Sequence, residues 1–294
     1  MTDKKSLRLD TVYAWPFIEL PGFREHPEGG TYVIWNKKPP IPANRLGKDF
    51  SWLSESPEDS MVAVENAEWI ANKSARWKEL VPSHFRKLKE DAKSLGLEIP
   101  QEFLAFFANP ELLSRLPSCT GVFFQIPARL LEIEDRPGDR LLCFANDYQG
   151  CLYWHLYLSQ SGYCVVATQE FFGGIQEPNM TQEDLDSEME LERPTVEHCC
   201  VVEETFSAFV YRYWIENQIW FVESNGGELS AEQSEYANFY LNEPESHYFF
   251  SEEDDDEQFR HRDKDAPDCP HCGQKLRTKL AKQCMECGAA WHES

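Results

Sequence analysis

No apolar run in the chain reaches the roughly 18 residues that a membrane-spanning helix needs, so no span is expected. The opening residues, MTDKKSLRLD, lack the apolar stretch of a secretion leader. Both absences point to a cytoplasmic protein. Basic residues are scarce: 28 Lys and Arg stand against 51 Asp and Glu, for a net charge of −23. Nucleic acid repels such a surface, whereas a basic protein is drawn to it. The same acidity also serves solubility alone. Catalytic signatures are missing too. There is no GxSxG, no GxxxxGK, no HExxH and no GxGxxG, the usual marks of serine hydrolases, P-loop enzymes, zincins and dinucleotide-binding enzymes. A non-enzymatic protein is the expectation, with no catalytic residues.

What the chain does hold is apolar mass. Hydrophobic residues make up 41% of 294, with 9 Trp, 11 Tyr and 19 Phe, enough for one sizeable core with small additions. The stretch Leu141–Leu158 is the natural centre. Two apolar runs flank Asn146-Asp147-Tyr148-Gln149-Gly150, which is a β-hairpin with turn chemistry in the middle. In the second run Leu152, Trp154, Leu156 and Leu158 share one face. Cys151, Tyr153, His155 and Tyr157 share the other, which this period of two leaves partly wet.

The elements around the hairpin follow in order. Thr11–Leu20 and Thr31–Trp35 read as strands, and the aromatics Trp15, Phe17, Phe23, Trp35, Phe50 and Trp52 suit a segment packed on the main domain. Met61–Leu95 is helical: Trp77, Leu80, Val81, Phe85, Leu88, Ala92 and Leu95 keep spacings of three and four. Pro82 either starts or kinks that helix, and Gly96 stops it. A second helix spans Pro100–Ala108 and ends at Asn109-Pro110. Strands follow at Gly121–Gln125, Arg129–Ile133, the hairpin and Tyr163–Thr168. Phe171–Glu204 reads as mostly loop, with ten acids against Arg193. It is either a docking surface for a cationic partner or a solvated insertion. Helices return at Thr205–Glu216, capped by Thr205, and at Leu229–Tyr240. Ser251–Asp265, with its SEEDDDE run, is a linker.

The strongest site signal lies beyond it. Cys269-Pro270-His271-Cys272-Gly273 and Cys284-Met285-Glu286-Cys287-Gly288 form two CxxCG knuckles, with eleven residues between Cys272 and Cys284. Four thiolates suit one tetrahedral Zn²⁺ at about 2.3 Å per bond. A disulfide pair or an iron centre is the alternative. A closed Cys₄ site leaves no position for water, so its role is structural, and metal binding supplies the folding energy of so short a module. His271 and His292 are substitute ligands or exposed neighbours. Lys275, Arg277, Lys279 and Lys282 between the knuckles either touch phosphate or an acidic protein face, or form a solvated loop. The other cysteines, Cys119, Cys143, Cys151, Cys164, Cys199 and Cys200, are read as free thiols. Cys199-Cys200 beside His198 lacks the supporting element of a nucleophile. Asp147 and His155 suit a turn and a strand face better than acid–base work.

The order of elements over Arg76–Trp220 resembles the SUKH superfamily, the Smi/Knr-like domain. The matching pieces are Leu95-Gly96-Leu97-Glu98-Ile99-Pro100 leading into QEFLAFFAN, the strand pair around Phe144-Ala145-Asn146-Asp147 and Gly150, and the closing helix ETFSAFVYRYW. The chain departs from the pattern at Asn109-Pro110, in its long acidic insertion and in both terminal additions. The resemblance implies an α+β fold, a curved antiparallel sheet flanked by helices. Many bacterial members look like immunity proteins that bind and neutralise toxins; eukaryotic members act as regulatory scaffolds. The expected organisation is an N-terminal extension (1–75), a SUKH-like α+β domain (76–250), an acidic linker (251–265) and a zinc ribbon (266–294). The expected partner is a protein, such as a basic toxin. The alternative is an adaptor whose ribbon recruits a protein or nucleic acid.

Overall fold

The first helix shows how the local rules operate. Val81, Phe85, Leu88 and Ala92 recur at helical spacing and are all buried, and residues 84–94 form helix α1, with 81 and 82 also helical. Its end has a defined chemistry. Gly96 adopts φ +72°, a conformation that costs glycine little. Its N–H donates to the Lys93 carbonyl at 3.0 Å and the Leu97 N–H reaches back to Ala92 at 2.9 Å, satisfying two carbonyls that the helix leaves open. Leu95, expected on the apolar face, is 38% exposed, because the chain has already left the helix there.

A computed structural model describes, with gaps of one or two residues, 46–53, 81–119, 122–125, 129–147, 150–172, 193–238 and 267–273, and the backbone of 14–16 and 35–37. Near the N-terminus β1 (Ala14–Pro16), inside the expected Thr11–Leu20, pairs antiparallel with β2 (Trp35–Lys37), which shares Trp35 with the expected Thr31–Trp35; the rest of both ranges lies outside the described residues. The helical pattern over Met61–Leu80 and the linker Ser251–Asp265 lie outside the described residues.

After α1 come α2 (Gln101–Ala108) and the short α3 (Pro110–Ser114). Asn109-Pro110 ends one helix and starts the next: the Asn109 side chain accepts from the Glu111 N–H at 3.1 Å, and Pro110 occupies the first turn, where its missing donor is no loss. Strands β3 (Val122–Phe124), β4 (Leu131–Ile133), β5 (Arg136–Asp147), β6 (Tyr153–Ser159), β7 (Gly162–Thr168) and β8 (Cys200–Glu203) make one antiparallel sheet. Its order is β3-β5-β6-β7-β8, with β4 also paired to β5. The sheet is curled, and helices α4 (Phe206–Ser224) and α5 (Ala231–Tyr236) complete an α+β fold.

The hairpin at the centre forms as its residues dictate. Leu142 faces Leu156 and Ala145 faces Trp154 across β5 and β6. A bulge between Cys143 and Ala145 adds one residue, so Phe144 and Ala145 both enter the helix-facing core. There Phe103, Phe106, Phe107, Phe144, Phe206 and Phe209 cluster, all fully buried, with tilted and edge-to-face pairs such as Phe103–Phe206 at 4.9 Å. Each such ring contributes about 1.5–3 kcal/mol by burial and somewhat more through edge contacts. Phe50 and Trp52 also join this core, Phe50 against Phe106 at 4.9 Å and Trp52 against Tyr211 at 5.4 Å.

Two expectations need correction. The second face of β6 is not wet: Tyr153, His155 and Tyr157 are 4%, 1% and 2% exposed. Around Tyr157 a separate apolar cluster of Ile133, Leu141, Cys164, Val166, Phe172 and Val201 covers that face. The acidic stretch Phe171–Glu204, read as mostly loop, ends in the strand β8. The helix from Thr205 does not stop at Glu216 but runs to Ser224. Its polar triplet Glu216-Asn217-Gln218 is buried, and satisfied internally: the Tyr236 hydroxyl donates to Glu216 at 2.6 Å, and Asn217 donates to the Tyr213 carbonyl while accepting from the Cys119 N–H. The expected Thr205 cap is present, accepting from the Ala208 N–H at 3.2 Å. The Leu229–Tyr240 helix begins at Ala231, opened by a reciprocal Ser230–Gln233 capping box.

Two buried carboxylates lock the helices to the sheet. Glu102 of α2 accepts from the Tyr163 hydroxyl, the Ser207 hydroxyl at 2.6 Å and the Phe206 N–H at 3.0 Å. Glu203 of β8 pairs with Arg212 of α4 at 2.6 Å, both essentially unexposed. Glu102→Gln is expected to cost about 2 kcal/mol, since an amide N–H₂ would confront donors. Arg212→Met should cost about 3–5 kcal/mol by stranding Glu203, and adding Glu203→Leu should recover much of that. Urea titrations of the three variants measure both.

Candidate functional site

The first knuckle is the described part of the expected metal site. Cys269 is 3% exposed, whereas Cys272 is exposed. Between them the chain makes a tight turn. The His271 N–H points at the Cys269 sulfur at 3.4 Å, and the Gly273 N–H donates to the Cys269 carbonyl at 2.9 Å. Gly273 sits at φ +74° with nothing near the place of a Cβ, so the glycine answers to backbone angle and not to crowding. An amide N–H directed at sulfur favours the thiolate, which is the form that ligates a metal. The turn therefore offers Cys269 as a pre-oriented donor with Cys272 three residues on. Cys284, Cys287 and His292, and the bases Lys275, Arg277, Lys279 and Lys282, lie outside the described residues. Among the described residues no group of three or more Cys, His, Asp or Glu is arranged to hold a metal.

The other chemically capable residues sit within the packed body, Asp147 through its backbone. Asp147 closes the hairpin: its N–H donates to Leu152 at 2.8 Å and its carbonyl accepts from Gly150 at 2.9 Å. His155 is not joined to it. The imidazole Nε2 lies 3.0 Å from the Thr168 hydroxyl, and burial pushes the ring's pKa down to about 3, so the ring is neutral. Cys199 donates to the Thr195 carbonyl at 3.6 Å. Burial, then Asp135, pushes its thiol up to about 12. Cys164 is pushed up to about 12 as well, first by burial and then by Cys199. Burial also raises Cys119. Thiols in that range stay protonated at neutral pH and attack poorly. His198 lies outside the described residues.

Sequence reasoning missed the buried polar set Glu102, Glu203, Arg212 and Glu216. The signal for two of them is present: Glu102 and Glu216 are lone acids inside aromatic runs, QEFLAFF and WIENQIW, and a charge in such a place needs a partner.

The chain matches no protein-family model, and no curated protein and no solved structure resembles it significantly. No described helix is long and apolar enough to cross a membrane.

His155 makes a pH prediction with a definite sign. Its folded pKa lies below the ordinary 6.5, so between pH 6.5 and about 3 the unfolded chain binds the extra proton. Stability is complete above pH 6.5 and falls as pH drops through that window, by at most about 5 kcal/mol. His155→Gln should flatten that part of the stability–pH curve. Chemical denaturation of the two proteins from pH 7 to pH 4 measures the difference.

Proposed function

We propose that the chain is a non-enzymatic binding protein: a SUKH-like α+β body that captures and neutralises a basic protein toxin, carrying a Cys₄ zinc ribbon on an acidic tether. The observation that carries this reading is the state of the reactive side chains. His155, Cys119, Cys164 and Cys199 are buried as a neutral ring and protonated thiols, in a packed body suited to presenting a surface. The net charge of −23 supplies the attraction for a cationic partner and speeds its arrival. Cys269, Cys272, Cys284 and Cys287 hold one structural Zn²⁺ in this reading. The Cys269 turn, with its N–H directed at sulfur, fits a thiolate ligand.

A second reading makes the ribbon a recruiting module in an adaptor. Its support is the exposure of Cys272 at the head of a segment with four bases, a surface that suits phosphate or an acidic protein.

One comparison separates the readings. Full-length protein and a Cys269→Ser/Cys284→Ser variant are purified from the native host, the metal is quantified, and bound proteins are identified by mass. The expected result is one zinc per wild-type chain, none in the variant, and a basic protein bound stoichiometrically by both. Binding by the zinc form alone would transfer the function to the ribbon. Iodoacetamide gives an independent check on the metal: Cys272 should alkylate quickly only after chelation, while Cys164 and Cys199 resist until the body unfolds.

A further inference from the structure

Between α1 and α2 lies an open groove of about 940 Å³. Phe85, Leu97 and Leu104 form part of its floor, each no more than 7% exposed, so it is closed toward the core. On the α1 wall stand Arg86, Lys89 and Lys93, at i, i+3 and i+7 of one helix, with Glu90 between Arg86 and Lys93. That spacing makes a single stripe about 10 Å long. All three are exposed, and none forms an ion pair among the described residues. On the α2 wall the outward residues are Gln101, Ala105 and Ala108, uncharged and mostly short, which lets another backbone come close. Glu90 and Glu98 also border the groove, so three bases less two acids leave it at +1, against −23 for the whole chain. The charge of the molecule is inverted here.

We propose that this groove docks an amphipathic helix from a protein partner, with acidic side chains along one edge facing Arg86, Lys89 and Lys93 and apolar side chains over the Phe85–Leu104 floor. The stripe selects a helix. Acids at the same three-and-four spacing on a facing helix meet the three bases together, and helix-in-groove recognition works through such anchors. The α2 wall then sets how deeply the helix sits. The groove's local charge is opposite in sign to that of the whole chain, so the net acidity that draws a basic toxin does not act through it. The contact is small and charge-assisted, so binding is weak, fast and salt-sensitive.

The test uses the full chain and a fluorescent peptide of about 14 residues, four helical turns, with Leu along one face and Glu on its flanks. Saturable binding that weakens toward about 0.3 M salt is expected. The Arg86→Glu/Lys89→Glu/Lys93→Glu variant should weaken it about tenfold, and a thermal melt confirms that the variant is folded. Ala105→Arg, which fills the short wall without touching the stripe, should weaken it as well. A peptide with Lys in place of Glu should bind worse. No saturable binding, equal binding of the Lys peptide, or indifference to the triple variant overturns the proposal. Tighter peptide binding after deletion of residues 251–265 also overturns it, by giving the groove to the chain's own acidic run.

Discussion

The carboxylate of Glu102 is the point on which the helices and sheet depend. It projects from α2 and receives the first N–H groups of α4, the Ser207 hydroxyl and the Tyr163 hydroxyl of β7. Helix N-termini carry unpaired donors and a positive partial charge. A buried acid needs donors more than any other group does. Each therefore removes the other's penalty, and the solution holds only in one arrangement of α2, α4 and β7. The surrounding rings supply most of the burial energy, but aromatic contact tolerates many registers. Glu102 permits one.

The sheet adds a second constraint because it is enclosed on both faces. Leu142, Leu156 and Val165 point into the helix-side core, and Leu141, Tyr157, Cys164 and Val166 into the other. A strand with both faces covered loses the freedom to slip, since a one-residue shift exchanges the two sets. Burial also sets the protonation of three groups on that side. The thiols of Cys164 and Cys199 and the ring of His155 lie inside the cover and keep their neutral forms. Packing and neutrality have one cause here, the removal of water from the second face.

Local signals in the sequence were legible where one residue type suffices to decide. Gly96 as a helix stop, Thr205 as a cap and Asn109-Pro110 as a helix end all appear as read. So does the α+β arrangement of an antiparallel sheet with helices. Errors arose where tertiary partners decide. The polar triplet at Glu216 looks like a helix end until Tyr236 and Cys119 are brought to it from elsewhere in the chain. The alternation of β6 signals one buried face, and only the segment around Phe172 and Val201 reveals the second. Of the two CxxCG knuckles, only the Cys269–Gly273 turn lies within the described residues. The groove beside α1 was not legible, because Arg86, Lys89 and Lys93 look like an ordinary solvated face until α2 is laid beside them.

The long reach of α4 has a consequence for the life of the chain during synthesis. Glu102 waits for donors 104 and 105 residues downstream, and the Cys119 amide waits for Asn217, 98 residues on. A ribosome adding about 5–20 residues per second needs on the order of 5–20 s to cover that interval. For that time α2 and its phenylalanines are in the cell without the helix that covers them, and the lone carboxylate keeps their stretch hydrated. The described core closes only when α4 emerges, so assembly is late and cooperative. The acid that fixes the finished structure also serves as a solubilising gatekeeper for the unfinished one.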